Sequence, residues 1–258
     1  MRTTPLLLEV DNPTLTSVCV YRLDDRGRLV VTRTGQLLPV STRDVAHPSF
    51  VFDIAPAEGT TVYVRVASRE SIRVPLRLWR PAAFFAADRT AATFSGVFYG
   101  ALGLTALYQV LLALGTPDRS HLTFAVTLIA ACVTLLGLDG IGTFYLWPGL
   151  TAWGEVITTT ASAVTVVSLL VFTSQFLALK ERSPAARRLL AIFGVAVIAC
   201  SLVIPHTTPY LTVSASALLA SLLIGVHSWA GGYAPARRLV LAWLLITGGT
   251  IAGQLVQM

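Results

Sequence analysis

The chain has 258 residues, 54% hydrophobic and only 12% charged, with a formal net charge of +6, and its mean hydropathy is +0.71. Soluble globular domains carry about 25% charged residues, so an ordinary water-solvated protein is excluded. Nucleic-acid binding is not expected either: the only lysine is Lys180, and the later arginines stand singly or in small groups between apolar runs instead of clustering on one basic face.

The charges are unevenly placed. Twelve of the 19 basic and nine of the 13 acidic side chains precede Thr90, while residues 91–258 hold seven and four. A domain as large as that second part could not stay hydrated with so few charges, so lipid must solvate it. Cys19, Cys132 and Cys200 are scattered without CxxC or CxxxH spacing, which predicts neither a disulfide framework nor a metal site. No cofactor is expected.

Residues 5 to 80 read as short strands at Leu6–Val10, Ser17–Arg22, Arg28–Thr32, Phe50–Ile54, Thr61–Ala67 and Ile72–Trp79. Turn signals fall between them at Asp11-Asn12-Pro13, Asp24-Asp25-Arg26-Gly27 and Glu58-Gly59. The run from Thr61 to Val66 alternates strictly, with Val62, Val64 and Val66 on one face and Tyr63 and Arg65 on the other. The pattern predicts an antiparallel sandwich or partial jelly roll over residues 1–85, with Arg65 a candidate ligand contact.

From Ala91 the period changes. Six apolar segments follow, at Ala91–Gly115, His121–Thr143, Trp153–Leu179, Arg188–Ile204, Tyr210–Trp229 and Leu239–Met258. Each is close to the roughly 20 residues that span a bilayer core, which predicts an α-helical transmembrane bundle over residues 91–258. The fold class is therefore a membrane protein with an N-terminal all-β domain. The loops after the first, third and fifth segments hold Arg119, then Lys180, Arg182, Arg187 and Arg188, then Arg237 and Arg238, while the loops after the second and fourth hold no Lys or Arg. That asymmetry places the odd loops in the cytoplasm and the β domain outside.

No signal peptide is visible at the start. Either the first helix exports the β domain or the true N-terminus lies upstream. At the other end, Gln254-Leu-Val-Gln-Met258 stops without a polar tail, which leads to the expectation of a truncated helix count.

Tyr145, Trp147, Trp153, Tyr210, Trp229 and Tyr233 fall at helix boundaries and read as aromatic-belt anchors against lipid. Ionisable groups within the apolar segments are few. Asp139 and Glu155, near the outer ends of the second and third helices, are expected as hydrated interface groups, with an outward-facing polar pocket that senses a ligand or contacts the β domain the rival role. His227, near the inner end of the fifth, is expected at headgroup level. Gln109, Gln175 and Gln254 are placed to hydrogen-bond between helices. In the third loop Ser183 reads as a helix cap with Pro184 at the first helical position, and the basic cluster around it as a lipid anchor or docking surface. No GxSxG, HExxH, Walker loop or GxGxxG before a helix is present, so the chain is not expected to be an enzyme.

The order of these landmarks resembles the bacterial seven-transmembrane receptors with diverse intracellular signalling modules (7TMR-DISM). The matching residues are Tyr63-Val-Arg65-Val and Pro75-Leu-Arg-Leu-Trp79 in the β domain, then Phe98-Tyr-Gly100, Leu107-Tyr-Gln109 and Pro117-Asp-Arg-Ser-His121. Gly142-Thr-Phe-Tyr-Leu-Trp-Pro148 follows, then Phe176-Leu177, Pro184, Arg188-Leu-Leu190, Ala236-Arg-Arg238 and Trp243. The resemblance implies an extracytoplasmic jelly roll of the family's second type, a seventh helix and a cytoplasmic output module, in a multi-pass protein of the bacterial inner membrane. It implies a receptor-like sensor whose partners are membrane lipid, a small carbohydrate-like ligand, a cytoplasmic signalling module and, as a further candidate, a second copy of the chain. The rival function is a small-solute transporter or channel subunit, which would call for paired broken helices and a midplane charge.

Overall fold

In a computed structural model of the chain, the described residues are 6–23, 28–54, 61–68, 73–203 and 208–244. Six strands come first: β1 Leu6–Val10, β2 Ser17–Leu23, β3 Leu29–Thr34, β4 Phe50–Ile54, β5 Tyr63–Ala67 and β6 Leu76–Trp79. They form two antiparallel three-stranded sheets, ordered β4-β1-β6 and β3-β2-β5. Two strands coincide with the sequence expectation and the others shift at their ends. The expected turns at 24–27 and 58–59 lie outside the described residues.

Strict alternation explains the sandwich. Val10, Val18, Val20, Phe50, Phe52 and Ile54 point inward and, with Leu15 and the half-buried Val62, Val64 and Val66, form the core between the sheets. At the first turn Asn12 takes over backbone pairing: its Oδ1 accepts from the Thr14 amide at 3.1 Å, and its Nδ2 donates to the Arg73 carbonyl at 2.9 Å.

The helices are α1 Pro81–Gly115, α2 Arg119–Leu138, α3 Thr151–Phe176, α4 Leu179–Arg182, α5 Pro184–Val203 and α6 Thr208–Ala230, with a π-helical turn at Gly142–Leu146 after α2. All but α4 are long and apolar enough to cross a membrane. A further helix starts at 234 and continues to 244, where the described residues end; the expected sixth span, 239–258, lies largely outside them. Side chains such as Phe94 (74%), Val97 (68%) and Leu114 (81%) are widely exposed, as a lipid-facing surface requires.

The chain divides into two compact units, residues 1–104 with 131–161 and residues 105–130 with 162–258. In the second, polar side chains join helices where no water competes. The His121 ring meets Gln109 Oε1 at 2.9 Å, Thr123 donates to Gln175 Oε1 at 3.0 Å, and Thr127 donates to Ser168 at 3.0 Å. The Thr173 and Ser221 hydroxyls pair at 3.0 Å. Gln109 and Gln175 thus bridge helices as expected, while Gln254 lies outside the described residues.

Tyr210 differs from expectation. It is 2% exposed and donates its hydroxyl to Ser162 Oγ at 3.0 Å, so it is an interhelical strut and not a lipid anchor. Tyr145 (67%), Trp153 (61%) and Trp229 (43%) are exposed as an aromatic belt requires. At the start of α5, Pro184 is the first helical residue and Ser183 Oγ accepts from the Ala186 amide at 3.4 Å, which satisfies one orphan donor of that helix. Arg182 lies over the Tyr233 ring, 4.0 Å from its centroid.

Candidate functional site

The first unit joins the sandwich to the outer ends of α1–α3, and its decisive feature is where α1 begins. The apolar run predicts a helix from Ala91; the observed helix starts at Pro81. Pro is favoured at a first helical position, and the following Ala-Ala-Phe-Phe-Ala-Ala stretch has high helix propensity, so the helix extends into water past the point where lipid needs it. The 35 residues of α1 span about 52 Å at 1.5 Å per residue, well beyond a hydrocarbon core of about 30 Å. Only Arg80 separates it from β6.

That watery first turn is clamped to the sandwich. Phe84 is 3% exposed and packs with Leu7 and Val51, and with the half-buried Val45 and Trp79, on the outer face of the first sheet. The His47 ring meets Phe84 edge-on, centroids 5.1 Å apart. His47 Nε2 lies 3.0 Å from Asp88 Oδ1, one turn along α1, and its Nδ1 accepts from the Ser49 amide at 3.0 Å. On the same sheet Trp79 Nε1 donates to the buried Glu9 carboxylate at 2.8 Å.

A second clamp reaches the end of α2. Arg43 donates from Nη1 to the carbonyls of His47 and Pro48, the latter at 2.8 Å. Its guanidinium lies over the rings of Phe50 in β4, at 5.0 Å, and Phe144 in the π-helical turn, at 5.8 Å. Burial lowers its pKa to about 10, so it remains charged at neutral pH and the rings act as cation–π partners. Beside it Gly140 adopts φ +73°, and a Cβ there would lie 2.6 Å from Pro13 Cβ and 2.9 Å from the Pro48 carbonyl oxygen. Only glycine permits both that backbone and that approach.

The sequence candidates fall in three places. Asp139 accepts the Tyr99 hydroxyl at 2.5 Å, which ties α2 to α1 just before Gly140. Glu155 is half-buried on the first turns of α3, where its carbonyl accepts from Thr159 Oγ1 at 2.8 Å. Arg65 is exposed on β5, directly opposite Cys19. Sequence reasoning missed Arg43, His47, Phe84, Asp88 and Gly140. Pro81, a first-turn signal, was the one clue that α1 reaches the sandwich. Trp147, read as a belt residue, is half-buried instead: a Cβ on Gly142 would fall 2.1 Å from its ring, so the indole folds back over that glycine.

Comparison with known proteins accounts for nearly the whole chain. Residues 91–257 match the family model described as 7TM diverse intracellular signalling, and residues 2–80 match 7TMR-DISM extracellular 2. The chain belongs to the 7TMR-DISM family. It is a multi-pass membrane protein with an extracellular β domain, and its two domains are those of a sensor-type signalling receptor, not of a known enzyme family. No curated protein and no solved structure matches it.

Proposed function

We propose that the chain is the sensing and relay part of a bacterial inner-membrane receptor. Residues 1–85 act as the sensing domain and residues 91–258 as the transmembrane relay. A small-molecule ligand on the β sandwich biases the helices between two arrangements, and a cytoplasmic signalling module reads the result. A ligand shifts such an equilibrium only by its differential affinity for the two states.

The observation that carries this reading is the passage from β6 to α1 through Arg80 alone, with Phe84 seated on the first sheet one turn later. A flexible linker would absorb a movement of the sandwich. Here a tilt of the first sheet moves a continuous helix that enters the membrane.

The relay is tested with a spin label at Leu114, which is 81% exposed near the far end of α1, on the full chain in lipid nanodiscs. His47→Ala, Asp88→Asn and insertion of two glycines after Arg80 each loosen the junction and should change the label's spectrum. Identical spectra in all four proteins would refute the relay.

A further inference from the structure

The sandwich has two outer sheet faces, and they are treated differently. The outer face of β4-β1-β6 is covered by Phe84 and its neighbours. The outer face of β3-β2-β5 is uncovered among the described residues, and it belongs to the extracellular domain, so membrane lipid does not explain its exposed apolar groups.

Register sets what that face displays. Residues directly opposite in antiparallel pairs share a face, and Val18, Val20, Val64 and Val66 point into the core. The alternate residues therefore point out, in a row Arg33–Cys19–Arg65 and a row Val31–Tyr21–Tyr63. Tyr63 is 68% and Val31 49% exposed, and both arginines are exposed. The three strands read SVCVYRL, LVVTRT and YVRVA, with no acidic residue. Arg22, of the opposite parity on β2, has Asp44 at 3.7 Å; Arg33 and Arg65 have no ion-pair partner among the described residues.

Two like charges flanking one small residue, beside the exposed Tyr63 and the half-buried Tyr21, form an arrangement complementary to an anion. The two arginine Cα atoms are two strand spacings apart, roughly 9–10 Å, and their long side chains can close over Cys19 on one anionic group. Arg offers forked donors that match a carboxylate, phosphate or sulfate, and the tyrosines offer a flat apolar surface.

We propose that the Arg33–Cys19–Arg65 row and the adjoining Tyr21–Tyr63 pair bind a small soluble molecule that carries a carboxylate, phosphate or sulfate on a flat apolar body. The inference rests on the reading of the β domain as the sensing domain and gives that domain its site and ligand class.

The test uses the full chain in phosphatidylcholine nanodiscs, with 1-naphthyl phosphate as probe and 1-naphthol as its neutral counterpart. Naphthyl fluorescence anisotropy should show saturable binding of the phosphate, about tenfold tighter than naphthol, with Arg33→Gln and Arg65→Gln each weakening it about five- to tenfold, the size of a partly exposed charged hydrogen bond. Both positions are exposed, and circular dichroism serves as the control that the variants fold. Bound probe should also slow alkylation of Cys19 by a charged maleimide, and should not slow alkylation of a cysteine placed at exposed Ser41 in a Cys19→Ser background.

No saturable binding, equal affinity for naphthol, unchanged binding in the double arginine variant or an unprotected Cys19 would each overturn the site. Displacement of probe when phosphatidylglycerol replaces phosphatidylcholine would assign the row to lipid headgroups and overturn a soluble ligand. Probe binding that leaves the Leu114 label unchanged supports the site and counts against the relay alone.

Discussion

Replacing Gly140 by alanine perturbs the junction at its tightest point. The added methyl group would lie 2.6 Å from Pro13 Cβ and 2.9 Å from the Pro48 carbonyl oxygen, and a backbone carbonyl cannot step aside as a flexible side-chain end can. The φ of +73° adds a cost of about 1–2 kcal/mol for an L-residue in the left-handed region. Overpacking against rigid neighbours costs about 1–3 kcal/mol, so the expected loss for Gly140→Ala is about 2–5 kcal/mol. Equilibrium unfolding of the full chain in detergent, followed by tryptophan fluorescence, reads this loss. Gly140→Asn separates the two causes. Asn tolerates the left-handed region but keeps a Cβ, so it should still lose at least about 1 kcal/mol. If both variants stay within about 0.5 kcal/mol of the parent, the level of a neutral surface change, the close approach is wrong. A costly alanine with a harmless asparagine would leave backbone strain and remove the junction contact.

Three further outcomes follow from other packing details. A Cβ at Gly137 would sit 2.1 Å from Thr158 Oγ1, a hydroxyl already held by the Gly154 carbonyl at 2.8 Å; Gly137→Ala should therefore cost about 1–3 kcal/mol, and adding Thr158→Ala should recover most of it in a double-mutant cycle. Tyr210→Phe removes the bond to Ser162 and should cost about 0.5–1.5 kcal/mol, measured by the same unfolding assay; no loss would place Tyr210 at a lipid boundary after all. Burial holds the Asp44 carboxyl above its usual range, partly opposed by Arg22. A raised folded-state pKa means that the folded protein holds the proton more tightly, so this contribution is full below the unfolded value of 3.8 and is lost as pH rises through the folded one. Asp44→Asn should therefore be no less stable than the parent at pH 7 and should flatten the acid side of the stability profile. A clear loss at pH 7 would mean that the Arg22 contact outweighs the burial.

The parts of the fold that could be read in advance are those with a sharp local signal. Short apolar runs marked β1 and β4 to the residue, and Pro184 marked the start of α5. The first ten residues of α1 were missed because hydropathy detects lipid, not helix: Asp88 and Arg89 end the apolar run while Pro81 and the alanines keep the backbone helical. Tyr210 was misplaced for a different reason. In a membrane helix the lipid-facing and the helix-facing surfaces are both apolar, so the periodicity that separates inside from outside in soluble helices fades. The junction pair His47 and Asp88 is 41 residues apart, and nothing local to either residue announces the other. Arg65 was readable as outward-facing from the YVRV alternation alone, but its relation to Arg33 needed the strand order β3-β2-β5.

A receptor that carries a signal across the membrane needs its β domain and the basic loop between α3 and α5 on opposite sides of the bilayer. Single cysteines at the exposed positions Ser41 and Glu181, introduced into a chain without Cys19, Cys132 and Cys200, test this in intact cells with a membrane-impermeant maleimide. Ser41→Cys should label from outside, and Glu181→Cys only after permeabilisation. Labelling of Glu181→Cys in intact cells, or protection of Ser41→Cys until the membrane is opened, would contradict the account at its centre.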